Sequence, residues 1–291
     1  MKSQKSTEHE QSSCLYLVAT PIGNLEDMTM RAIRILKEVD YIAAEDTRNS
    51  KKLCNYFEIS TPLMSYHDHN QQVGGEKILE ILREGKQVAL VSDAGLPCIS
   101  DPGADIAAKA IDEGFAVVPV PGANAALSAL IASGMSTQPF FFYGFLSRNK
   151  KERKKEITLL QKRQETILLY EAPHRLKDTL KDIQAIMEGS RRIVLARELT
   201  KKFEEFLRGT VEEALEWAES NEIRGEFCIV LEGNDTEEVL EEEAWWINLS
   251  IEEHVEHLMN EKQLKSKEAI KEVAIQRGLS KREVYQSYHV T

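Results

Sequence analysis

Five short loops stand out along this chain, several of them directly after an apolar run of strand length, and each is a place where chemistry can be held. The first is Thr20-Pro-Ile-Gly-Asn24, where Pro21, Ile22, Gly23 and Asn24 form a tight uncharged turn that can bring backbone groups close to a ligand. It is neither a GxGxxG nor a Walker loop and has no lysine for phosphate, so an ordinary strand-to-helix turn explains it equally well. The second, Ser92-Asp-Ala-Gly-Leu-Pro-Cys-Ile-Ser-Asp-Pro-Gly103, carries two Asp, two Pro and two Gly, more than a turn requires. Asp101 reads there as a helix cap ahead of Pro102, which leaves Asp93 unexplained; a carboxylate at a strand end can hold a ribose hydroxyl or a cationic group. The third, Pro119-Val-Pro-Gly-Ala-Asn124, enters a helix of small residues that lets a ligand, or simply a neighbouring element, pack closely. The fourth, Glu45-Asp-Thr-Arg48, offers two acids and an arginine, either as a structural ion pair or as a grip on a polar substrate. The fifth, Tyr66-His-Asp-His69, has HxH spacing but no third ligand, so a polar loop is favoured over a metal site and none is expected. His67 stays a substrate-facing candidate.

Basic residues follow the same positional logic. Arg175, in Tyr170-Glu-Ala-Pro-His-Arg175, and Lys201, in Ala196-Arg-Glu-Leu-Thr-Lys-Lys202, follow strands and suit an anionic polymer; plain surface charge is the equal alternative. Residues 148–155 hold six bases, among them Arg148, Lys150, Lys151, Lys154 and Lys155, and read as a solvated helix start or a phosphate-binding rim.

These loops need a scaffold, and the apolar periodicity supplies one. Residues 15–19, 41–44, 88–91 and 117–120 read as strands, with helices at 29–39, 103–113 and 124–133 between them. That rhythm is the βαβ repeat of a parallel sheet. A second series has strands at 140–143, 167–170, 193–196 and 227–231, with helices at 176–187 and 211–219. The expected organisation is a disordered tail over 1–13, an N-terminal α/β domain over 14–136, a second α/β domain over 137–234, an acidic linker over 235–249 and a basic helical extension over 250–291. The linker assignment rests on six acids and no base in 235–243.

The net charge of −11 excludes nucleic-acid binding by bulk attraction, so any such binding must use local basic patches. Residues 262–291 are one, with seven Lys or Arg against three Glu, a balance of +4. The four cysteines, Cys14, Cys54, Cys98 and Cys228, form no CxxC pair, which argues against a disulfide framework and for a reduced, cytoplasmic setting. No apolar run is long enough to span a membrane.

In order along the chain, TPIGN, EDTR, SDAGLPCISDPG, PVPGANA, YGFL, YEAPHRL, LARELTKKFEE and GEF closely resemble the ribosomal small-subunit methyltransferase I family, over residues 15–233. The terminal KEAIKEVAIQRGLSKREVYQSYH is similar to that family's helical extension. Any one motif is weak; eight in order are strong. The resemblance implies a tetrapyrrole-methylase fold of two consecutive α/β domains with S-adenosylmethionine in the cleft between them. It implies 2′-O-methylation of a cytidine in the decoding region of 16S rRNA, within the 30S subunit, and a homodimer. Carried over by position, the cofactor pocket takes Pro21 to Asn24 from the first loop. It takes Asp93, Ala94, Gly95, Leu96 and Pro97 from the second, and Ala123 and Asn124 from the third. Tyr170, Glu171, Ala196 and Phe227 complete it from the second lobe. Ser147 stands where the family usually has proline after Gly-Phe-Leu, and is expected to loosen that loop.

A ribose hydroxyl is a poor acid, so transfer to it calls for a general base; Glu45, Asp46 and His67 are the candidates, with Arg48 or Lys201 holding phosphate. Two other readings stay open. A methylase of a tetrapyrrole ring carbon explains the cofactor loops as well but the basic stretches poorly. A non-catalytic nucleic-acid-binding module fits the helix, Gly278-Leu-Ser, helix pattern of the tail but leaves the α/β loops without a role.

Overall fold

A computed structural model describes Gln4 and residues 13–234, 246, 249–261 and 264–289. The expected tail over 1–13 therefore lies outside the described residues except Gln4 and Ser13, and the acidic linker except Trp246 and Leu249. The chain divides into two compact units, residues 1–234 and 235–291.

The first unit holds two five-stranded sheets. In the first, β1 (Cys14–Val18), β2 (Tyr41–Ala44), β3 (Leu63–Ser65), β4 (Gln87–Val91) and β5 (Ala116–Val120) lie in the order β3-β2-β4-β1-β5, all parallel. β1 and β4 are apolar nearly throughout because both faces are covered, as buried parallel strands require. One face takes α1 (Met30–Glu38) and α2 (Thr47–Tyr56); the other takes α3 (Gln71–Arg83) and α4 (Ala104–Asp112). Thr29 caps α1 by accepting from the Ala32 N–H at 3.1 Å, which places the helix start one residue inside the apolar period.

In the second sheet β6 (Phe140–Phe145), β7 (Thr166–Glu171), β8 (Arg192–Arg197), β9 (Glu205–Thr210) and β10 (Phe227–Leu231) lie in the order β6-β7-β10-β8-β9. Only β6 and β7 are parallel; β10 runs antiparallel to both β7 and β8, and β9 antiparallel to β8. α6 (Lys150–Gln161), α7 (Leu176–Ile186) and α8 (Val211–Ser220) cover one face. The other face is covered by α5 (Ala125–Ser133), which follows β5 of the first sheet but buries Ala126, Ala129 and Leu130 against Leu168, Val194, Ala196 and Val230. The small residues of α5 thus serve close packing of the two halves.

The second unit is three helices, α9 (Ile251–Glu261), α10 (Ser266–Gln276) and α11 (Lys281–His289), around Val255, Leu258, Ile270, Val273 and Val284. Arg277 fastens its N-terminal end: the guanidinium donates to the carbonyls of Trp246 (2.9 Å) and Leu249 (2.6 Å) and to Nδ1 of buried His254 (3.1 Å). No helix among the described residues is long and apolar enough to cross a membrane.

Candidate active site

All strands of the first sheet point the same way, so the loops after β1, β4 and β5 emerge at one edge. The chain leaves β1 towards β2 on one side and leaves β4 towards β5 on the other, and such a divergence between neighbouring strands is where open α/β sheets hold ligands. A cleft of about 430 Å3 opens there. One wall is Ile22 from the first loop, Ala94, Gly95, Leu96, Ile99, Ser100 and Asp101 from the second, and Asn124 and Ala125 from the third. The opposite wall comes from the second sheet: Phe145, residues 170–174, Ala196, Glu198, Leu199, Lys201 and residues 226–228. The antiparallel β10 makes this possible, because its first residues Phe227 and Cys228 lie in register with the last residues of β7 and β8.

Each wall is braced within itself, and a hydrogen bond from α5 to Tyr170 links the two. Thr20 and Gly95 exchange both backbone hydrogen bonds, at 2.8 and 3.0 Å. The Tyr170 hydroxyl accepts from the Ala126 N–H at 3.2 Å, and the Tyr170 ring meets Phe142 and Phe145 at centroid distances of 5.2 and 5.5 Å. Four of the five non-glycine residues with left-handed backbone among the described residues, Cys98, Ser100, Glu198 and Thr200, sit in the two loops that face across the cleft. Such strain concentrates where a structure must present particular groups.

Of the residues expected to hold a cofactor, Ile22, Ala94, Gly95, Leu96, Asn124, Tyr170, Glu171, Ala196 and Phe227 line this cleft. Pro21, Gly23 and Asp93 line a neighbouring depression of about 320 Å3 together with Asn49, Lys52 and Tyr56. Asp93 accepts there from the Asp46 N–H and from Asn49 Nδ2, both at 3.1 Å, so its side chain ties the loops after β2 and β4. Asn24, Pro97 and Ala123 line neither; Asn24 accepts from the Glu26 N–H and caps a short 3-10 turn.

The expected helix-cap role of Asp101 is corrected. The N-cap of α4 is Gly103, with no side-chain cap bond, and Asp101 faces the cleft instead. Burial first, then the charges of Glu45, Asp93 and Asp68, push its carboxyl up to about 7, against a lowering hydrogen bond from Ser92. Glu45 is likewise pushed up, by burial and by Asp93. Asp46 goes the other way: Arg48 holds it down to about 2, and it caps α2 through the Arg48 N–H at 2.8 Å. The fourth loop is therefore an ion pair at Asp46–Arg48 and a perturbed acid at Glu45. His67 flanks the same carboxylates at the end of β3, with its Nδ1 buried and without a hydrogen-bond partner. No group of three or more His, Cys, Asp or Glu able to hold a metal occurs among the described residues.

The basic residues separate sharply. Arg148, Lys150 and Lys151 are exposed. Lys155 pairs with Glu152 at 3.0 Å, and Lys154 reaches Asp182 at 3.6 Å. Arg175 is turned inward, donating to the carbonyls of Leu146 (2.7 Å) and Ser147 (3.1 Å) beside the buried Glu171. Lys201 lines the cleft, held by Glu198 at 2.9 Å and Glu226 at 3.2 Å. Both positions follow from burial at strand ends, where each cation finds acceptors within its own sheet. The loosening expected at Ser147 is also corrected: its N–H, which proline lacks, donates to Glu156 at 2.7 Å, and its carbonyl is one of the two held by Arg175.

Sequence reasoning missed Asp101, Phe145, His174, Glu198 and Glu226 as cleft residues. Asp101 carried a signal, the second acid of a loop already singled out; Glu226 carried one only in hindsight, since nothing in a sequence says that β10 begins where β7 and β8 end.

The family model of the tetrapyrrole (corrin/porphyrin) methylases matches residues 14–215. The chain is 63% identical over 276 residues to a ribosomal RNA small subunit methyltransferase I of Bacillus subtilis (strain 168), covering 95% of this chain and 94% of the relative. It is 55% identical to the protein of that name from Halalkalibacterium halodurans, over 99% of both chains. Among solved structures it is similar to a cobalt precorrin-4 methyltransferase, with a TM-score of 0.58 at 20% identity, covering 75% of this chain and 94% of that one. A uroporphyrin-III C-methyltransferase from Thermus thermophilus, complexed with S-adenyl homocysteine, gives 0.55 at 18% identity over 75% of this chain and 96% of the other.

Proposed function

The chain belongs to the ribosomal RNA small subunit methyltransferase I family of tetrapyrrole methylases, and we propose that it methylates the 2′-oxygen of a cytidine in the decoding region of 16S rRNA, using S-adenosylmethionine. The observation that carries the reading is the reach of the likeness. Similarity to the solved tetrapyrrole enzymes covers 75% of this chain, whereas similarity to the rRNA enzymes covers 95% and 99% of it and so takes in the helical unit. A ring-carbon methylase leaves that unit and the exposed bases at the start of α6 unused. A pure binding module leaves the cleft unused.

The cleft fits the cofactor by its chemistry. Its walls are mostly apolar, with a few convergent polar groups, as small-molecule sites are. Its acids are Asp101, Glu171, Glu198 and Glu226 and its Lys201 is neutralised by two of them, a balance suited to a cation. When bound, S-adenosylmethionine supplies a methyl carbon already activated by a sulfonium. Ile22, Leu96, Phe145, Leu199 and Phe227 exclude water from it, and residues 14–136 and 137–234 act as the two lobes that enclose it. Glu45 and His67 flank the site of proton removal, while Asp46 and Arg48 are engaged with each other.

RNA recognition is assigned to exposed bases that do not line the cleft: Arg148, Lys150 and Lys151 on the body, and the helical unit with exposed Lys281 and Arg282. The protein acts in the cytoplasm as a homodimer on 16S rRNA within the 30S subunit. Nucleoside mass spectrometry of 16S rRNA after incubation with enzyme and labelled donor tests the product. The label is expected on ribose, and a methyl that remains with the free base after glycosidic cleavage overturns the reading. Truncation after Asn234 is expected to leave donor affinity nearly intact, lower methylation of the ribosomal substrate and flatten its salt dependence. Lost donor binding with retained RNA binding would contradict the patch assignment.

A further inference from the structure

We propose that Asp101, presented on the wall of the cleft, is the general base that takes the proton of the ribose 2′-hydroxyl. The inference deepens the ribose-methylation reading above and rests on it.

Several observations converge on this side chain. Asp101 lies in the cleft wall, half-buried, on the loop that also supplies Ala94, Gly95 and Leu96. The helix that follows does not use its carboxylate, since α4 is capped at Gly103 without a side-chain bond. Cys98 and Ser100, both in the left-handed region, hold the segment that presents it. The other carboxylates within reach are less suited. Glu171 is buried and engaged by Thr179 Oγ1 at 2.5 Å and the Ala172 N–H at 2.9 Å. Glu198 and Glu226 share Lys201. Asp46 is too acidic to accept a proton readily.

The groups facing Asp101 are largely of its own sign. Glu45 comes from the end of β2, Asp68 from the turn after β3, and Asp93 from its own loop. Cys98 lies on the same loop and Tyr170 reaches it from β7; both feel its charge. Across the cleft stand His174, Glu171 and the Lys201 cluster. Like charges and burial leave the acid and carboxylate forms balanced near neutral pH, where a general base works best.

The chemistry closes. Asp101 accepts the hydroxyl proton as an oxygen lone pair forms the bond to the methyl carbon and the carbon–sulfur pair returns to sulfur. The products are a methyl ether, a neutral thioether and a protonated Asp101, which releases its proton to solvent. Since only the carboxylate is active, kcat/KM of the free enzyme should rise with pH through about 7 and then level. Glu45→Gln removes the charge that opposes ionisation, so its rising limb should move to lower pH and the activity at about pH 6 should gain relative to that at about pH 8.

The test compares wild type, Asp101→Asn, Asp101→Glu and Glu45→Gln. Methylation of 30S subunits is followed across pH, S-adenosylhomocysteine binding by calorimetry, and the carboxyl by 13C NMR titration of the free protein. Asp101→Asn is expected to lower kcat by roughly 100- to 10,000-fold with ligand affinity little changed, and Asp101→Glu to recover part of it. The carboxyl resonance lost in Asp101→Asn is expected to titrate near neutrality in wild type and lower in Glu45→Gln. An Asp101→Asn enzyme with wild-type rate and pH profile overturns the proposal. So does a wild-type resonance in the ordinary carboxylate range, a result independent of whether the variants fold. Wild-type methylation of a base instead of ribose overturns the reading beneath it, and is read separately from the product.

Discussion

Gly95→Val is expected to abolish binding of S-adenosylmethionine while leaving the protein folded. Gly95 has φ +80°, a conformation that costs an L residue about 1–2 kcal/mol and a β-branched one more. A Cβ there would stand 3.3 Å from Ile22 Cγ2 and 3.5 Å from the Ala123 carbonyl, so the two further carbons of valine must enter the cleft or part the loops. Parting them breaks the paired Thr20–Gly95 hydrogen bonds that hold the first two loops together. With each 1.4 kcal/mol worth tenfold, a loss of at least roughly 100-fold in affinity is expected, with Gly95→Ala intermediate. Calorimetry with S-adenosylhomocysteine, alongside circular dichroism, decides it: native spectra with unchanged affinity would remove this loop from the cofactor site.

Asp182→Ala is expected to destabilise the fold by about 3–5 kcal/mol, a large share of the roughly 5–15 kcal/mol that holds a typical domain. Arg153 and Asp182 are 5% and 3% exposed, and the guanidinium donates twice to one carboxylate oxygen, at 2.9 and 2.7 Å. Removing the acid strands a buried cation, and Lys154 at 3.6 Å loses its partner too. Replacing Arg153 and Asp182 together by Met and Leu should recover most of the loss, because the pair is held by mutual need more than by net gain. Urea denaturation measures both; a single-variant effect under about 1 kcal/mol would show the site tolerates an unpaired guanidinium. The same pair bears on RNA recognition, since Arg153 is one of the six bases in 148–155 and faces the core.

Legibility in the sequence followed the strength of local periodicity. β2 and β10 were read to the residue and β1, β4, β5, β6, β7 and β8 to within one or two, because each is a compact apolar run bounded by turn residues. β3 and β9 were missed: β3 is three residues long, and Glu205–Thr210 has too few apolar positions to show a pattern. α2 and α3 were missed because polar surfaces dominate the first and paired glycines interrupt the second.

Loop position behaved differently from loop role. That the loops after β1, β4 and β5 belong to one site follows from sequence alone, since parallel strands must put their carboxyl ends together. Which side chain of a loop faces the ligand does not follow. Asp93 and Asp101 share a loop and a residue type; backbone turns at Cys98, Ser100 and Gly103 send one into a tie with Asp46 and Asn49 and the other into the cleft. The acidity of Asp101 is likewise a property of the fold, because Glu45 lies 56 positions away in the chain and adds its charge only once β2 and β4 are neighbours. By itself the sequence determined most of the α/β elements, the family and the loops that build the cleft, all of which depend on local pattern or on motifs in order. The antiparallel β10, the packing of α5 on the second sheet and the separation of spent from exposed bases were decided only by tertiary structure, because each depends on which distant residues become neighbours.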